Sequence, residues 1–180
     1  AFGKAVNEAC DALDGIEDGI LQNPLACNFE PSSIQCPVGT DNSSCLTEKQ
    51  VSAIEKIWSG VKTSDGDLIY PGLVPGGEAD PGGWGRWVTG AEPFTSLHWL
   101  GGEGFFRWFV FDDPDWDFTS FDFDEDLEYA LQKVGNSVDS NNPDLRRLRD
   151  NGSKLIVYHG WSDPDTVSYT HLTLPTTSCV

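Results

Sequence analysis

Four cysteines, Cys10, Cys27, Cys36 and Cys45, crowd into the first quarter of this 180-residue chain. The stretch that carries them is rich in Pro and Asn and reads as irregular, with few regular hydrogen bonds to hold it. None of the four forms the C-x-x-C pair of a zinc or dithiol redox site. Two local disulfides are the economical arrangement, with four buried free thiols as the alternative. Disulfides imply an oxidising compartment, so the expected location is secreted or periplasmic.

The formal net charge is −18, from 29 acidic and 11 basic residues. Such a surface repels a duplex or an anionic membrane, which excludes nucleic acid and membrane as partners and makes cations the natural small ligands. Hydrophobic residues make up 38% and aromatics 12%, enough for a core. The 19 Gly and 11 Pro favour a loop-rich body over a helix bundle. No run is long and apolar enough to span a bilayer. The chain opens on Ala1-Phe2-Gly3-Lys4 and not on Met. A missing leader therefore says little about secretion, and a preceding segment is expected.

The C-terminal segment 167–180 is set apart. Residues Val167 to Thr176 read VSYTHLTLPT, the translation of the common transposase adaptor end, GTC TCT TAT ACA CAT CTG ACG CTG CCG ACG. The segment is read as adaptor-derived, with a Thr-rich strand as the alternative. It is excluded from functional argument, which also removes Cys179 and His171.

Residues 1–9 suit a short helix. Thr47 is positioned to N-cap a helix through Ser59, with Glu48 in the first turn, Gly60 as the stop, and Val51, Ile54, Ile57 and Trp58 on one face. Residues 60–104 predict long loops with short strands around Leu68-Ile69-Tyr70. Residues 105–123 alternate aromatic and acidic groups, and 124–134 read as a helix. Pro143-Asp144-Leu145 opens another, ending near Asn151-Gly152. Lys154-Leu155-Ile156-Val157-Tyr158 reads as a buried parallel strand, with the loop His159-Gly160-Trp161-Ser162-Asp163-Pro164 at its C-terminal end.

Two places carry chemistry. Asp11, Asp14 and Asp18 stand three and four apart, with Gly15 and Gly19 following two of them. Three carboxylates so close repel one another unless a cation neutralises them. Hard oxygen ligands on Gly-assisted turns suit Ca²⁺, with the carbonyls of Ile16 and Ile20 able to complete the shell. The EF-hand order is absent, and a pair of Asp-Gly turns with solvated aspartates is the alternative. Asp163 lies just past the C-terminal end of the expected strand, where open α/β sheets place functional side chains. In α/β-hydrolases the triad runs Ser, Asp or Glu, then His, and Asp163 fits the middle slot. The alternative there is a simple Asp-Pro turn. His159 suits a structural role beside the strand, and His98 sits in an aromatic loop without an evident partner. No G-x-S-x-G occurs, and Ser153 and Ser162 are loop serines without a base, so a nucleophilic Ser before residue 1 and a His after residue 166 are expected.

Five stretches together resemble the tannase and feruloyl esterase family: CDALDGIEDGILQNPLAC (10–27), CLTEKQVSAIEKIWSG (45–60), DGDLIYPGLVPGGE (65–78), WGRWVTG (84–90) and PDLRRLRDNGSKLIVYHGWSDP (143–164). The resemblance implies an α/β fold: an α/β-hydrolase fragment, mostly an inserted lid domain of mixed, loop-rich, disulfide-stapled structure, plus one core strand. It implies a lid over 1–143, a core helix, strand and triad-acid loop over 144–166, and pairing of Cys10 with Cys27 and of Cys36 with Cys45. Asp11, Asp14 and Asp18, with the backbone oxygens of Ile16 and Ile20, would hold a structural calcium ion, and Asp163 would be the triad acid. The family's two glycines before the strand Lys become Gly152-Ser153 here, and its Cys-Ser and His-Cys elements have no match. The implied parent is a secreted serine esterase acting on small aromatic-acid esters such as feruloyl, galloyl or plant cell-wall esters, and the fragment would be inactive alone. The aromatic, Gly-rich loops would wall the acyl pocket or, residue by residue, serve as lid core. The rivals are a non-catalytic, calcium-dependent carbohydrate-binding module and a metalloenzyme built on the acidic cluster 112–126.

Overall fold

The computed structural model describes residues 1–139, 144–156 and 158–165. Helix α1 (Phe2–Cys10) opens the chain. Phe2, Val6 and Cys10 recur every fourth residue and so share a face. Val6 is fully buried against Cys10 and Leu21. The helix hands over to a short 3₁₀ turn, Asp11–Asp14, and two further turns follow at Pro24–Ala26 and Pro31–Ile34. Two disulfides tie this region, Cys10–Cys27 and Cys36–Cys45, with Cα–Cα distances of 5.4 and 5.0 Å. The second closes a loop whose ends pair through Cys36 N to Leu46 O and Leu46 N to Ile34 O, at 2.7 and 2.9 Å.

Helix α2 (Glu48–Ser59) has the bounds its sequence sets. The Thr47 hydroxyl accepts from Gln50 N at 3.3 Å, and Gln50 Oε1 accepts in return from Thr47 N at 2.8 Å. Val51 and Ile54 enter a core with Leu46 and Trp84, and Ile57 and Trp58 pack against it. Phe2 joins this core to the first one, its ring 5.5 Å from Trp58 and 5.6 Å from Trp84. Gly60, at φ 76°, ends the helix, since a Cβ there would lie 2.5 Å from Tyr70 O.

Strand β1 (Val61–Lys62) pairs antiparallel with β2 (Leu68–Tyr70), Val61 opposite Tyr70 and Lys62 opposite Leu68, with a bulge between. The chain then crosses the C-terminal end of α2, where Leu73 N donates to Ile57 O at 3.1 Å. A short helix α3 (Trp84–Trp87) follows, then α4 (Leu97–Gly104), which runs on in π-helical form over Phe105–Phe111. Loops and strands are expected over 60–104, so α3 and α4 are corrections. Gly101, Gly102 and Gly104 and the many aromatics lower helix propensity. Ser96 caps α4, its hydroxyl accepting from Trp99 N at 3.2 Å, and ring packing holds the rest. Trp99 meets Phe118 edge-on at 4.3 Å, and Phe106 meets Phe121 at 4.7 Å. Helix α5 (Glu125–Ala130) continues through Leu131–Gly135 into α6 (Asn136–Val138), close to the expected span, and Tyr129 stacks on Phe111 at 5.8 Å.

Helix α7 (Arg146–Asp150) ends on Gly152 at φ 69°. Pro143, its expected opening residue, lies outside the described residues. Among the described residues of 154–158 the expected parallel strand is not formed. Leu155, Ile156 and Tyr158 are exposed, and Val157 lies outside the described residues. A buried parallel strand needs neighbours on both edges and layers on both faces. The described residues offer β1 and β2 alone, paired with each other, so the α/β character expected of the chain reduces here to helices, turns and one two-stranded ribbon. No helix of the described residues is long and apolar enough to cross a membrane.

Candidate functional site

The loop 159–165 is brought against the crossing segment 71–84. Trp161, Ser162, Asp163 and Pro164 face Leu73, Val74, Gly76 and Trp84. Gly77 sits against Ser162, where an added Cβ would lie 2.7 Å from Ser162 Cβ. Asp163 is thereby held some 85 residues along the chain from the surface that supports it. Its N–H donates to Gly160 O at 3.3 Å, and its Oδ1 accepts from Asp165 N at 2.9 Å, the Asp-Pro turn that the residues allow. Its Oδ2 lies 3.6 Å from His159 Nε2, one helical turn back in sequence, with side chains 34% and 27% exposed. His159 thus takes a local place beside Asp163. His98 stands on α4, its ring 5.9 Å from that of Trp87.

The segment beneath the loop contains the sole charged side chain buried among the described residues, Glu78, at 9% exposure. Both its oxygens accept from Gly76 N, at 3.0 and 3.1 Å. Burial pushes its carboxyl above the usual value, and nearby Asp80 adds to the shift against the opposing pull of the backbone hydrogen bonds. Sequence reasoning missed Glu78. The acid follows an uncharged run from Leu68 to Gly77, but nothing local marks it as buried.

Asp11, Asp14 and Asp18 share one loop. Asp11 accepts from Gly19 N through both oxygens at 3.0 and 2.9 Å. Asp14 accepts from Ile16 N at 3.0 Å and Gln22 N at 3.1 Å, and Asp18 from Ile20 N at 3.0 Å. Gly15 and Gly19, at φ 96° and 82°, turn the backbone as the D-G pairs require. The donor set fits a hard cation in kind, and a carboxylate has about four lone-pair sites, so these bonds leave capacity for an ion. The Cys10–Cys27 bond encloses the loop. The side chains are turned onto amides rather than toward a common point, and among the described residues no three His, Cys, Asp or Glu converge as a metal site.

The acidic stretch 112–126 also spends its carboxylates on its own backbone. Asp117 accepts from Thr119 N, and Asp122 from Asp124 N and Glu125 N. These bonds hold both carboxyls below the usual range. The same convergence is lacking there.

The family model described as tannase and feruloyl esterase matches residues 1–175, a span that continues past Val167. A probable feruloyl esterase B from Emericella nidulans is 37% identical over 157 residues, covering 86% of this chain and 28% of that protein. An esterase of Xanthomonas campestris is 34% identical over 174 residues, covering 91% of this chain and 30% of its own length. The crystal structure of an esterase from Aspergillus oryzae superposes with a TM-score of 0.70 at 29% identity, covering 85% of this chain and 29% of that one. Feruloyl esterase B of Aspergillus oryzae superposes at 0.69 with 25% identity over the same shares. The chain spans under a third of the length of these relatives. With the family model matching nearly the whole chain and relatives 37% and 34% identical over most of it, the chain belongs to the tannase and feruloyl esterase family.

Proposed function

We propose that this chain supplies the calcium-bearing lid, over 1–143, and the triad acid, within 144–166, of a secreted serine carboxylic ester hydrolase acting on aromatic-acid esters. The observation that carries the reading is Asp163, held partly exposed in a loop seated on a distant segment. A triad acid needs that combination of fixed backbone and reachable carboxylate.

In this reading a serine and a histidine come from sequence outside these residues. The serine hydroxyl attacks the ester carbonyl as the histidine takes its proton, and the histidine then protonates the departing alcohol. Asp163 fixes the imidazole tautomer and stabilises the imidazolium, without itself taking a proton. Backbone amides near the serine would stabilise the oxyanion. His159 Nε2 lies 3.6 Å from Oδ2, on the near side of the carboxylate. Asp11, Asp14 and Asp18 with the carbonyls of Ile16 and Ile20 would hold Ca²⁺, which when bound neutralises the loop and fixes it structurally. The exposed rings of Phe94, Trp108 and Phe109 suit a wall for an aromatic acyl group.

The test is Asp163→Asn in a complete esterase carrying this segment. Turnover should fall by roughly 10⁴-fold with the fold intact, because the amide favours the wrong tautomer. Turnover near that of the unsubstituted enzyme, measured on methyl ferulate, removes Asp163 from the triad.

A further inference from the structure

Glu78 has no role in the reaction outlined above, yet a carboxylate is costly to keep from water. Its position gives it a structural task. Its two oxygens hold Gly76 N at 3.0 and 3.1 Å and so close a turn through Gly76 and Gly77, at φ 105° and 81°. The far side of that turn is fixed as well. Asp80 N donates to Gly77 O at 3.1 Å, and a Cβ on Gly83 would lie 2.3 Å from the same oxygen. Ser162 rests on the outer surface of the turn, close enough that a Cβ on Gly77 would stand 2.7 Å from its Cβ and 3.0 Å from its Oγ. The residue after Ser162 is Asp163.

We propose that Glu78 is a positioning residue: by holding the Gly76-Gly77 turn it sets the seat of Ser162, and through it the placement of the Asp163 carboxylate. The inference rests on Asp163 being the triad acid only for its catalytic consequence. The mechanical link from Glu78 to the 160–165 loop stands on the contacts alone. Glutamine at 78 keeps an oxygen to accept from Gly76 N, and alanine keeps none.

Hydrogen–deuterium exchange on the full 180-residue chain tests the link. Glu78→Ala should speed exchange over 160–165 by about tenfold, together with 76–80, while 27–46 keeps its protection. Glu78→Gln should leave 160–165 as it is. Unchanged exchange over 160–165 in Glu78→Ala overturns the proposal, and so does an equal rise in all three segments, which marks a general loss of core. If Glu78→Ala fails to fold, Gly77→Ala presses on Ser162 directly and should loosen 160–165. Adding Ser162→Gly should restore part of the protection, and identical exchange in the single and double variants overturns the link.

The catalytic consequence is read in a complete esterase carrying the segment. Glu78→Ala should lower kcat by roughly 10–100-fold with KM nearly unchanged, and Glu78→Gln should recover most of it. Normal kcat in Glu78→Ala, beside an inactive Asp163→Asn, removes Glu78 alone. Normal kcat in Asp163→Asn removes the triad reading and leaves the exchange result standing.

Discussion

Glu78 is the buried carboxyl whose ionisation bears on stability. Its carboxyl is raised above its ordinary value of 4.5 chiefly by burial. The folded state therefore holds a proton that the unfolded chain has already released. Its contribution is fully present below the unfolded value and is lost as pH rises through the folded one. Glu78→Gln, neutral at every pH, should melt higher than the unsubstituted chain near neutral pH, and the gap should close as pH falls toward 4.5. Thermal melts at several pH values measure this; a gap that widens on acidification would reverse the sign. At this scale the sequence was partly legible. Cysteine count and spacing announced crosslinks, and Asp163 stood out by its place after an apolar run. Glu78 did not, because its burial follows from α1 packing on the 78–79 backbone, where a Cβ on Gly3 would lie 2.9 Å from Ala79 N. That contact spans more than seventy residues.

Among the elements, α2 was legible to the residue. Cap, first-turn acid, apolar face and glycine stop all agree locally, and the tertiary fold leaves them in place. The reciprocal Thr47–Gln50 bonds were a capping box that the T-x-x-Q spacing allows. Thr47→Ala should cost about 1 kcal/mol, measured as a lower urea midpoint with an unchanged slope. A loss near zero would mean that packing of Val51 and Ile54 alone fixes the helix start. Helix α4 was illegible for the converse reason. Its glycines and aromatics argue against a helix locally, and the contacts among Phe94, Trp99 and Phe118 that favour it join segments apart in sequence. The apolar run at 154–156 reads as strand by composition, but a strand is a property of a pair, and no partner for it lies among the described residues.

At the scale of the whole molecule the dominant quantity is the charge of −18. Carboxylates across the surface are occupied by backbone N–H groups, at Asp11, Asp14 and Asp18 and again at Asp117 and Asp122. Such bonds place partial positive charge at each carboxylate but leave the net field intact. A divalent cation relieves that field directly, so calcium at about a hundred times its dissociation constant should add about 2.7 kcal/mol. Scanning calorimetry should show a higher melting temperature with calcium and a lower one with strong chelator, and Asp14→Ala should flatten the difference. Identical melts in all three conditions would remove the ion. The spacing of the three aspartates was readable, but whether their carboxylates close on an ion depends on side-chain rotation, which spacing does not encode.

Both crosslinks close before residue 46, over separations of 17 and 9 residues. Under tension the molecule is thus a rope with two knots near one end. Pulled by its termini it would surrender the aromatic half and helix α2, yet roughly 80 Å of its contour would stay spooled until a thiol reagent cut the loops.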